Sequence, residues 1–218
     1  LIEGWHLFEE AVQAGVTIEK IFALETYRDQ LAAFPQTVWV SEDILLDLAD
    51  SQTPQGIVAV VQKEEVGQAD FSQGKFLFLE DVQDPGNVGT IIRTADAAGF
   101  TGVIVSEKSA DIYSLKTLRS MQGSHFHLPI YRMSSQALLK EIKEAVIPVL
   151  ATTLSKDSVD YRELPPIENF VLVMGNEGQG ISSLMAESAD QLVHISMKGQ
   201  AESLNVAVAA CILIFHLS

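Results

Sequence analysis

Short apolar runs alternate with segments of helical periodicity about five times over the last two thirds of the 218-residue chain. The runs at 76–79, 102–105 and 170–174 are each long enough for one buried strand and too short for a helix. Between the first two, apolar residues recur at helical spacing over 88–98, and Gly99 marks a helix end. Strands joined by helices pair in parallel and need helices over both faces of the sheet. The sequence therefore predicts an α/β fold with a parallel sheet flanked by helices.

The same two periodicities predict the other elements of this region. Strands are predicted at 128–131, 149–153 and 192–195. Helices are predicted at 115–121, 136–145, 184–187 and 206–217, and a loop is predicted at 157–166. The alternation of strands and helices thus continues to the end of the sequence.

The first 63 residues carry an α/β pattern of their own. Strands are predicted at 18–24, 37–40 and 57–61, and helices at 5–12 and 27–34. A further helix begins after Ser41, a good N-cap residue, and would bury a stripe of Ile44, Leu45 and Leu48. The pattern predicts a small α/β domain.

A polar stretch at 64–74, with glycines at Gly67 and Gly74, separates the two patterns and is typical of a linker. We therefore expect three parts. Residues 1–63 form a small α/β domain, 64–74 a linker, and 75–218 the larger α/β domain.

The net charge of −15 argues against nucleic acid as a partner, but the charge is unevenly distributed. Residues 1–70 carry 13 acidic and 3 basic side chains, whereas 71–218 carry 16 and 11. The densest positive cluster in the sequence consists of Lys108, Lys116, Arg119, His125 and Arg132. These side chains either are ordinary solvated charges or contact phosphates. From the residues alone, the first interpretation is favoured.

The single cysteine, Cys211, excludes an internal disulfide framework and is typical of a reducing compartment, so we expect a cytoplasmic protein. Its position in an apolar run favours a buried, inert thiol over a nucleophile. No apolar run reaches the length of a membrane span, and no signal peptide is visible.

Three loops that follow predicted strands carry the polar residues suited to chemistry. The first holds Asn87 and Arg93, the second has three glycines around Glu177, and the third contains Ser203 and Asn205. These loops show no metal-ligand spacing, no Ser/His/Asp arrangement and no glycine-rich nucleotide signature. Their backbone amides, amide and hydroxyl side chains, single arginine and single carboxylate suit a polar organic cofactor and a group transfer better than hydrolysis.

The three loops lie in segments DPGNVGTIIRTADAAG at 84–99, MGNEGQGIS at 174–182 and ISMKGQAESLNVAVAACI at 195–212. These segments resemble the three motifs of the SpoU (TrmH-type) RNA ribose methyltransferases of the SPOUT class, in the family's order. The similarity spans about residues 76–217, and the segment LRSMQGS at 118–124 is also similar to the family. Residues 1–61 resemble, more loosely, the small substrate-binding domain that precedes the catalytic domain in many members.

The resemblance implies a deep C-terminal trefoil knot, S-adenosylmethionine as cofactor, no metal, and a homodimer through the knotted domain with the active site near its interface. It assigns a cofactor-binding set, which consists of Thr152, Gly175, Glu177, Gly178, Ile195, Met197 and Leu204. It also assigns a catalytic set, which consists of Asn87, Arg93, Glu177, Ser203 and Asn205.

By this resemblance Arg93 acts on the ribose 2′-hydroxyl. Because an arginine guanidinium cannot be deprotonated in proteins, we favour a role in fixing the phosphate and hydroxyl and in stabilising developing negative charge. Asn87 would orient the loop or the ribose, and Glu177 would hold Arg93 or its neighbours. Ser203 and Asn205 would close the site, although the simpler interpretation of Ser203 is a helix N-cap.

The resemblance thus implies S-adenosylmethionine-dependent methylation of a ribose 2′-hydroxyl in RNA. The N-terminal domain favours ribosomal RNA as the substrate. The alternatives are transfer RNA as the substrate, methylation of a base, and a non-catalytic RNA-binding protein that keeps the fold.

Overall fold

The computed structural model describes residues 1–51, 53–63 and 65–218, and Glu64, the first residue of the predicted linker, lies outside them. The N-terminal part contains β1 (Ile2–Glu3), α1 (Trp5–Gln13), β2 (Ile18–Leu24), β3 (Thr37–Val40), α2 (Glu42–Leu48) and β4 (Ile57–Val61). Its sheet has the order β1-β4-β2-β3; β4 is antiparallel to both neighbours, and β3 is parallel to β2. The small α/β pattern predicted for this part is confirmed.

The helix predicted at 27–34 is wrong. A 3₁₀ turn at Glu25–Tyr27 is followed only by turns, and Leu31 is the one fully buried residue of 27–34. A single buried side chain supplies no apolar stripe to hold a helix against the sheet. The stripe predicted for α2 is likewise incomplete, because Leu45 is buried while Ile44 is exposed, and Ser41 stands at the N-cap without a side-chain bond.

The larger part contains seven strands. They are β5 (Lys75–Leu79), β6 (Gly102–Val105), β7 (Ile130–Arg132), β8 (Val149–Thr152), β9 (Val159–Asp160), β10 (Phe170–Met174) and β11 (Gln191–His194). The sheet order is β7-β6-β5-β10-β8-β11-β9, and every pair is parallel. The predicted parallel sheet is confirmed. The short edge strand β9 lies within the predicted loop at 157–166, where pairing with β11 rather than local periodicity creates it.

Five helices accompany this sheet. They are α3 (Pro85–Ala97), α4 (Leu115–Met121), α5 (Ser135–Ala145), α6 (Ser183–Ser188) and α7 (Val206–Leu217). The adjacent strands β5 and β10 are buried on both faces of the sheet. Leu77 and Leu79 of β5 join the core with α3, α4 and α7, whereas Phe76 and Phe78 join the core with α5 and α6. Alternation along a strand therefore places helices on both faces of the sheet, as predicted.

Helix α3 begins where the loop after β5 supplies its N-cap. The Asp84 carboxylate accepts a hydrogen bond from the Asn87 amide at 2.9 Å, and Pro85 occupies the first helical position. The helix ends before Gly99, whose φ of +73° is the left-handed conformation that glycine tolerates. Asn87 is thereby fixed in the first turn of α3, beyond the carboxyl end of β5.

No helix in the described ranges is long and apolar enough to cross a bilayer. Within the same ranges, no group of three or more His, Cys, Asp or Glu side chains is arranged to hold a metal ion.

Candidate active site

A cavity of about 520 Å³ lies at the carboxyl ends of β8, β10 and β11. In α/β sheets this edge is where ligands bind. All seven residues of the predicted cofactor set line the cavity, namely Thr152, Gly175, Glu177, Gly178, Ile195, Met197 and Leu204. Val206, Ala209 and Leu213 of α7 add an apolar wall. The structure therefore brings together the second and third predicted loops and the end of β8.

The loop after β10 folds into a tight turn that leaves no room for a side chain at its start. Asn176 and Gly180 exchange two backbone hydrogen bonds of 2.9 Å. A Cβ added to Gly175 would lie 2.3 Å from the carbonyl carbon of Gly180 and 2.3 Å from the amide nitrogen of Ile181. Gly175 is therefore required by close backbone approach, and the turn presents its backbone to the cavity.

Asn176 stabilises this turn from within. Its Oδ1 accepts hydrogen bonds from the amides of Gly178 at 2.9 Å and Gln179 at 3.0 Å, and its Nδ2 donates to the Asp81 carbonyl at 2.8 Å. We did not predict this role from the sequence, although an asparagine in a glycine-rich turn often bonds to the backbone two residues on.

Glu177 connects the cavity to the loop after β5. Its Oε1 accepts hydrogen bonds from Asn87 Nδ2 at 3.1 Å and from the Asp84 amide at 3.2 Å, and its Oε2 accepts one from the Gln83 amide at 3.2 Å. Burial raises the pKa of Glu177, but the hydrogen bonds together outweigh it and hold the pKa below its usual value. The carboxylate is therefore ionised at neutral pH and ties the second loop to the first.

Asn205 extends this connection to the third loop. Its Nδ2 donates to Asn87 Oδ1 at 3.1 Å, while its Oδ1 caps α7 by accepting from the amides of Ala207 and Val208. Glu177, Asn87 and Asn205 thus form one hydrogen-bonded chain, which we call the polar junction. The junction joins all three predicted loops.

Ser203 lines the cavity and is exposed to solvent. The interpretation of Ser203 as the N-cap of α7 is wrong, because Asn205 holds that position. Ser203 therefore lines the cavity without capping the helix.

Arg93 lies apart from the junction. It is six residues beyond Asn87, roughly 9 Å farther along the axis of α3 and about 120° around it. Its side chain is exposed, and it makes no hydrogen bond or ion pair within the described ranges. Glu177 therefore does not hold Arg93; its side chain is bonded to Gln83, Asp84 and Asn87 instead.

Arg93 lies beside an exposed apolar surface. Thr90 and Ala97 share its exposed side of α3. Helix α7 packs on α3, where the Cys211 thiol is 3.1 Å from Thr94 Oγ1, and it exposes Val208 and Phe215. The guanidinium is therefore accessible at the edge of these two helices.

Glu80, the residue that follows β5, is buried. Its carboxylate accepts hydrogen bonds from the amide and hydroxyl of Ser182, at 2.7 and 2.8 Å, and from the Ser135 hydroxyl at 2.6 Å. It therefore anchors the far end of the second loop. Nothing in the local sequence pattern indicated this contact.

The predicted positive cluster does not form one free cationic surface. Lys108 lies 3.7 Å from Asp81, and Lys116 lies 2.9 Å from Asp84. The hydrogen bonds from Lys116 and from the Asn87 backbone amide lower the pKa of Asp84. Of the remaining members, two are held by contacts, and His125 is partly buried with no hydrogen-bond partner for its Nδ1 among the described residues. Arg119 faces carboxylates of the small domain, Arg132 donates to a backbone carbonyl, and burial lowers the pKa of His125 to about 4.

The parallel sheet and the cavity at its carboxyl edge, lined by amide, hydroxyl and carboxylate groups, define a class, the α/β proteins that bind a small polar molecule at this edge. Residues 74–215 match the family model described as the SpoU rRNA Methylase family, and residues 1–59 match that of the MRM3-like substrate binding domain. The chain belongs to the SpoU rRNA methylase family. The family resemblance drawn from the three motifs is confirmed.

Named relatives and solved structures are similar to nearly the whole of this chain. The 23S rRNA (guanosine(2553)-2′-O)-methyltransferase RlmP of Bacillus subtilis is 42% identical over 219 residues, which cover 100% of this chain and 87% of the relative. The AdoMet-bound rRNA methyltransferase of Sinorhizobium meliloti superposes with a TM-score of 0.85 at 33% identity, over 99% of this chain and 85% of that one. The SpoU methyltransferase AviRb of Streptomyces viridochromogenes, solved with AdoMet, has a TM-score of 0.85 at 29% identity, over 99% and 88%.

Proposed function

We propose that this protein transfers a methyl group from S-adenosylmethionine to a ribose 2′-hydroxyl of 23S ribosomal RNA. The observation that carries the proposal is the polar junction, which holds Asn87 and Asn205 beside the wall that Glu177 contributes to the cavity. The 23S rRNA enzyme of Bacillus subtilis, similar over the full chain, supports ribosomal RNA as the substrate class. The guanosine named for that relative is the first nucleotide to test.

The cavity fits the cofactor in size and chemistry. Its volume of about 520 Å³ lies in the range of small-molecule sites, and its lining combines backbone amides with an apolar wall from α7. Such a lining suits a flat base on one side and polar ribose and amino-acid groups on the other. The residues that would hold the cofactor are Thr152, Gly175, Gly178, Ile195, Met197 and Leu204. When bound, S-adenosylmethionine supplies an electrophilic methyl group on a sulfonium.

The residues around the acceptor would orient the ribose and stabilise charge. Asn87 and Asn205 are held in one rotamer each by their mutual hydrogen bond, so they offer fixed polar atoms to the sugar. Arg93, exposed and always protonated, would bind the phosphate and stabilise negative charge on the acceptor oxygen as the O–CH₃ bond forms, the hydroxyl proton passes to solvent and the cofactor leaves as its neutral thioether. Ser203 would contact the ligand with its free hydroxyl.

A homodimer would bury the apolar surface next to Arg93. Val208 and Phe215 of α7 are 48% and 58% exposed, which is unusual for a helix with so few polar residues. Packing α7 against a second copy would cover these side chains and bring Arg93 to the edge of the interface. This arrangement supports a site completed near the contact between two protomers.

The proposal includes the organisation of the chain. The two sheets support a small RNA-binding domain at 1–63, a linker at 64–74 and a catalytic domain at 75–218. In the larger sheet, β11 lies beyond β8 while α7 returns to pack on α3, a path that suits a trefoil knot. We also propose that the protein acts in the cytoplasm, where ribosomal RNA is modified and a single thiol stays reduced.

A methyl-transfer assay with labelled S-adenosylmethionine and a 23S rRNA transcript tests the proposal. We expect label in the RNA, mapped to a ribose 2′-oxygen, and cofactor binding by calorimetry. Arg93→Ala should keep the cofactor affinity and lower kcat at least about 100-fold, the effect of removing one charge-stabilising group. Lys143→Ala, on the opposite face of the sheet, is the matched control for loss of a positive charge. Absent cofactor binding, or transfer to a base, would contradict the proposal.

A further inference from the structure

The family-like segment at 118–124 contains an arginine that is held by the small domain. Arg119 Nη2 lies 2.9 Å from Asp50 Oδ2, and its Nη1 lies 3.7 Å from Glu3 Oε2. The Glu3 side chain is only 6% exposed and also accepts hydrogen bonds from the Asp50 amide and the Ser51 hydroxyl. A buried carboxylate needs a charged or hydrogen-bonding partner, and Arg119 supplies the positive charge.

The turn that follows α4 is shaped to the first helix of the small domain. The Gln122 carbonyl lies 3.2 Å from His6 Nε2, and His127 Nε2 lies 3.2 Å from Glu10 Oε2. Gly123 has a φ of +94°, and a Cβ there would lie 2.8 Å from Glu10 Cγ. Two polar contacts and one close approach therefore join this turn to α1, in addition to the contacts of Arg119 with Glu3 and Asp50.

Helix α4 is in close contact with α3, the helix that carries Asn87. Gly89, two residues after Asn87, packs so tightly on α4 that an added Cβ would lie 2.5 Å from Ser120 Cβ and 2.6 Å from the Thr117 carbonyl oxygen. Because protein interiors are close-packed, helices at this separation cannot shift independently. The position of the small domain is thus connected to Asn87 through α4, and His127, which contacts both Glu10 of α1 and Asp96 of α3, adds a second connection.

We propose that residues 115–127, which consist of α4 and the turn after it and which we call the docking segment, hold the small domain at a fixed distance and angle from Asn87. In this arrangement Arg119 is a positioning residue for the RNA substrate and not a phosphate contact. The inference rests on the proposed function. Residues 1–70 carry 13 acidic and 3 basic side chains, and two of these carboxylates, Glu3 and Asp50, engage the Arg119 guanidinium.

Two substitutions on opposite sides of the contact separate these roles. Arg119→Gln and Glu3→Gln should each raise the KM for 23S rRNA about five- to tenfold, since a partly buried charge pair is lost in both. The Kd for S-adenosylmethionine should not change. A phosphate-contacting Arg119 predicts instead that Glu3→Gln strengthens RNA binding by removing a like charge, and that Arg119→Gln lowers the slope of log K against log salt by about 1.

The double variant and a control complete the test. Glu3→Gln with Arg119→Gln should be no worse than either single variant, because both remove the same contact. Arg132→Gln removes an equal charge from a residue that donates to the Glu107 carbonyl, and it should leave the KM within about twofold of wild type. Small-angle X-ray scattering should show a broader distribution of interdomain distances in both single variants.

The outcomes are distinct. If wild type does not methylate the RNA, the proposed function fails. The scattering of the variants then still decides whether the docking segment fixes the position of the small domain. If wild type is active and both Gln variants keep its KM and its scattering profile, the inference is wrong. A tighter RNA complex in Glu3→Gln would overturn it in favour of a phosphate contact.

Discussion

Replacing Glu177 by glutamine tests the polar junction most directly. The carboxylate accepts three hydrogen bonds, from Asn87 Nδ2 and from the amides of Gln83 and Asp84. Glutamine keeps one acceptor oxygen but turns an NH₂ group toward an N–H donor, so at least one bond is lost and one repulsive contact is formed. The rotamer of Asn87 would then no longer be fixed.

The expected magnitude follows from these bonds. A hydrogen bond to a charged group contributes about 1.5–3 kcal/mol, and the lower end applies because Glu177 is exposed. If the lost hydrogen bond displaces Asn87 and with it the acceptor ribose, an activation free energy that is higher by about 1.5–2 kcal/mol corresponds to a roughly 10- to 30-fold lower kcat. The Kd for S-adenosylmethionine should rise by no more than about threefold, as for an exposed charge near a ligand.

The assay compares kcat from single-turnover methyl transfer with the cofactor Kd from calorimetry. Glu202→Gln is the matched control, because this exposed carboxylate lies in the third loop and has no bonding partner in the part of the chain that the structure describes. A variant that loses cofactor affinity in proportion to kcat would show that Glu177 acts on the cofactor. Unchanged kcat would refute the role of the junction.

The junction also makes a pH prediction. Hydrogen bonding holds the pKa of Glu177 below its ordinary 4.5 although burial opposes this, so the unfolded chain binds the proton more readily. The stabilisation by the carboxylate is therefore fully present above pH 4.5 and is lost as the pH falls through the lower folded-state pKa. Urea unfolding of wild type and Glu177→Gln should give curves that approach each other in that acid range.

Three further predictions concern other parts of the chain. Gly175→Ala, whose Cβ would lie 2.3 Å from backbone atoms, should weaken cofactor binding at least about tenfold, whereas Gly180→Ala, with φ of +70° and nothing within 4 Å, should cost only about 1 kcal/mol in thermal unfolding and leave affinity nearly unchanged. Burial, aided by the charge of His127, lowers the pKa of His125 to about 4, so wild type should lose stability relative to His125→Gln as the pH falls from 6.5 to about 4; parallel curves would contradict this. Phe215→Glu should convert a dimer to monomers in sedimentation, and a wild type that is already monomeric would exclude the proposed interface.

The sequence alone determined the elements whose cause is local. The bounds of β2, β10 and α7 agree with prediction because continuous apolar or helically spaced residues must be buried wherever the element lies. The loop after β10 was also predictable as a ligand-binding loop, because glycines after a buried strand leave the backbone open to a ligand. The family motifs then named the residues that line the cavity.

Only the tertiary structure decided which polar groups meet. Glu177 reaches Asn87, 90 residues away in the chain, because β10 pairs directly with β5 in the sheet order. Arg119 lies 116 residues from its partner Glu3. Local periodicity records whether a residue is buried but contains no information on which strand is its neighbour. Arg119, which the sequence left as either a solvated charge or a phosphate contact, is therefore assigned to an ion pair only by the tertiary structure.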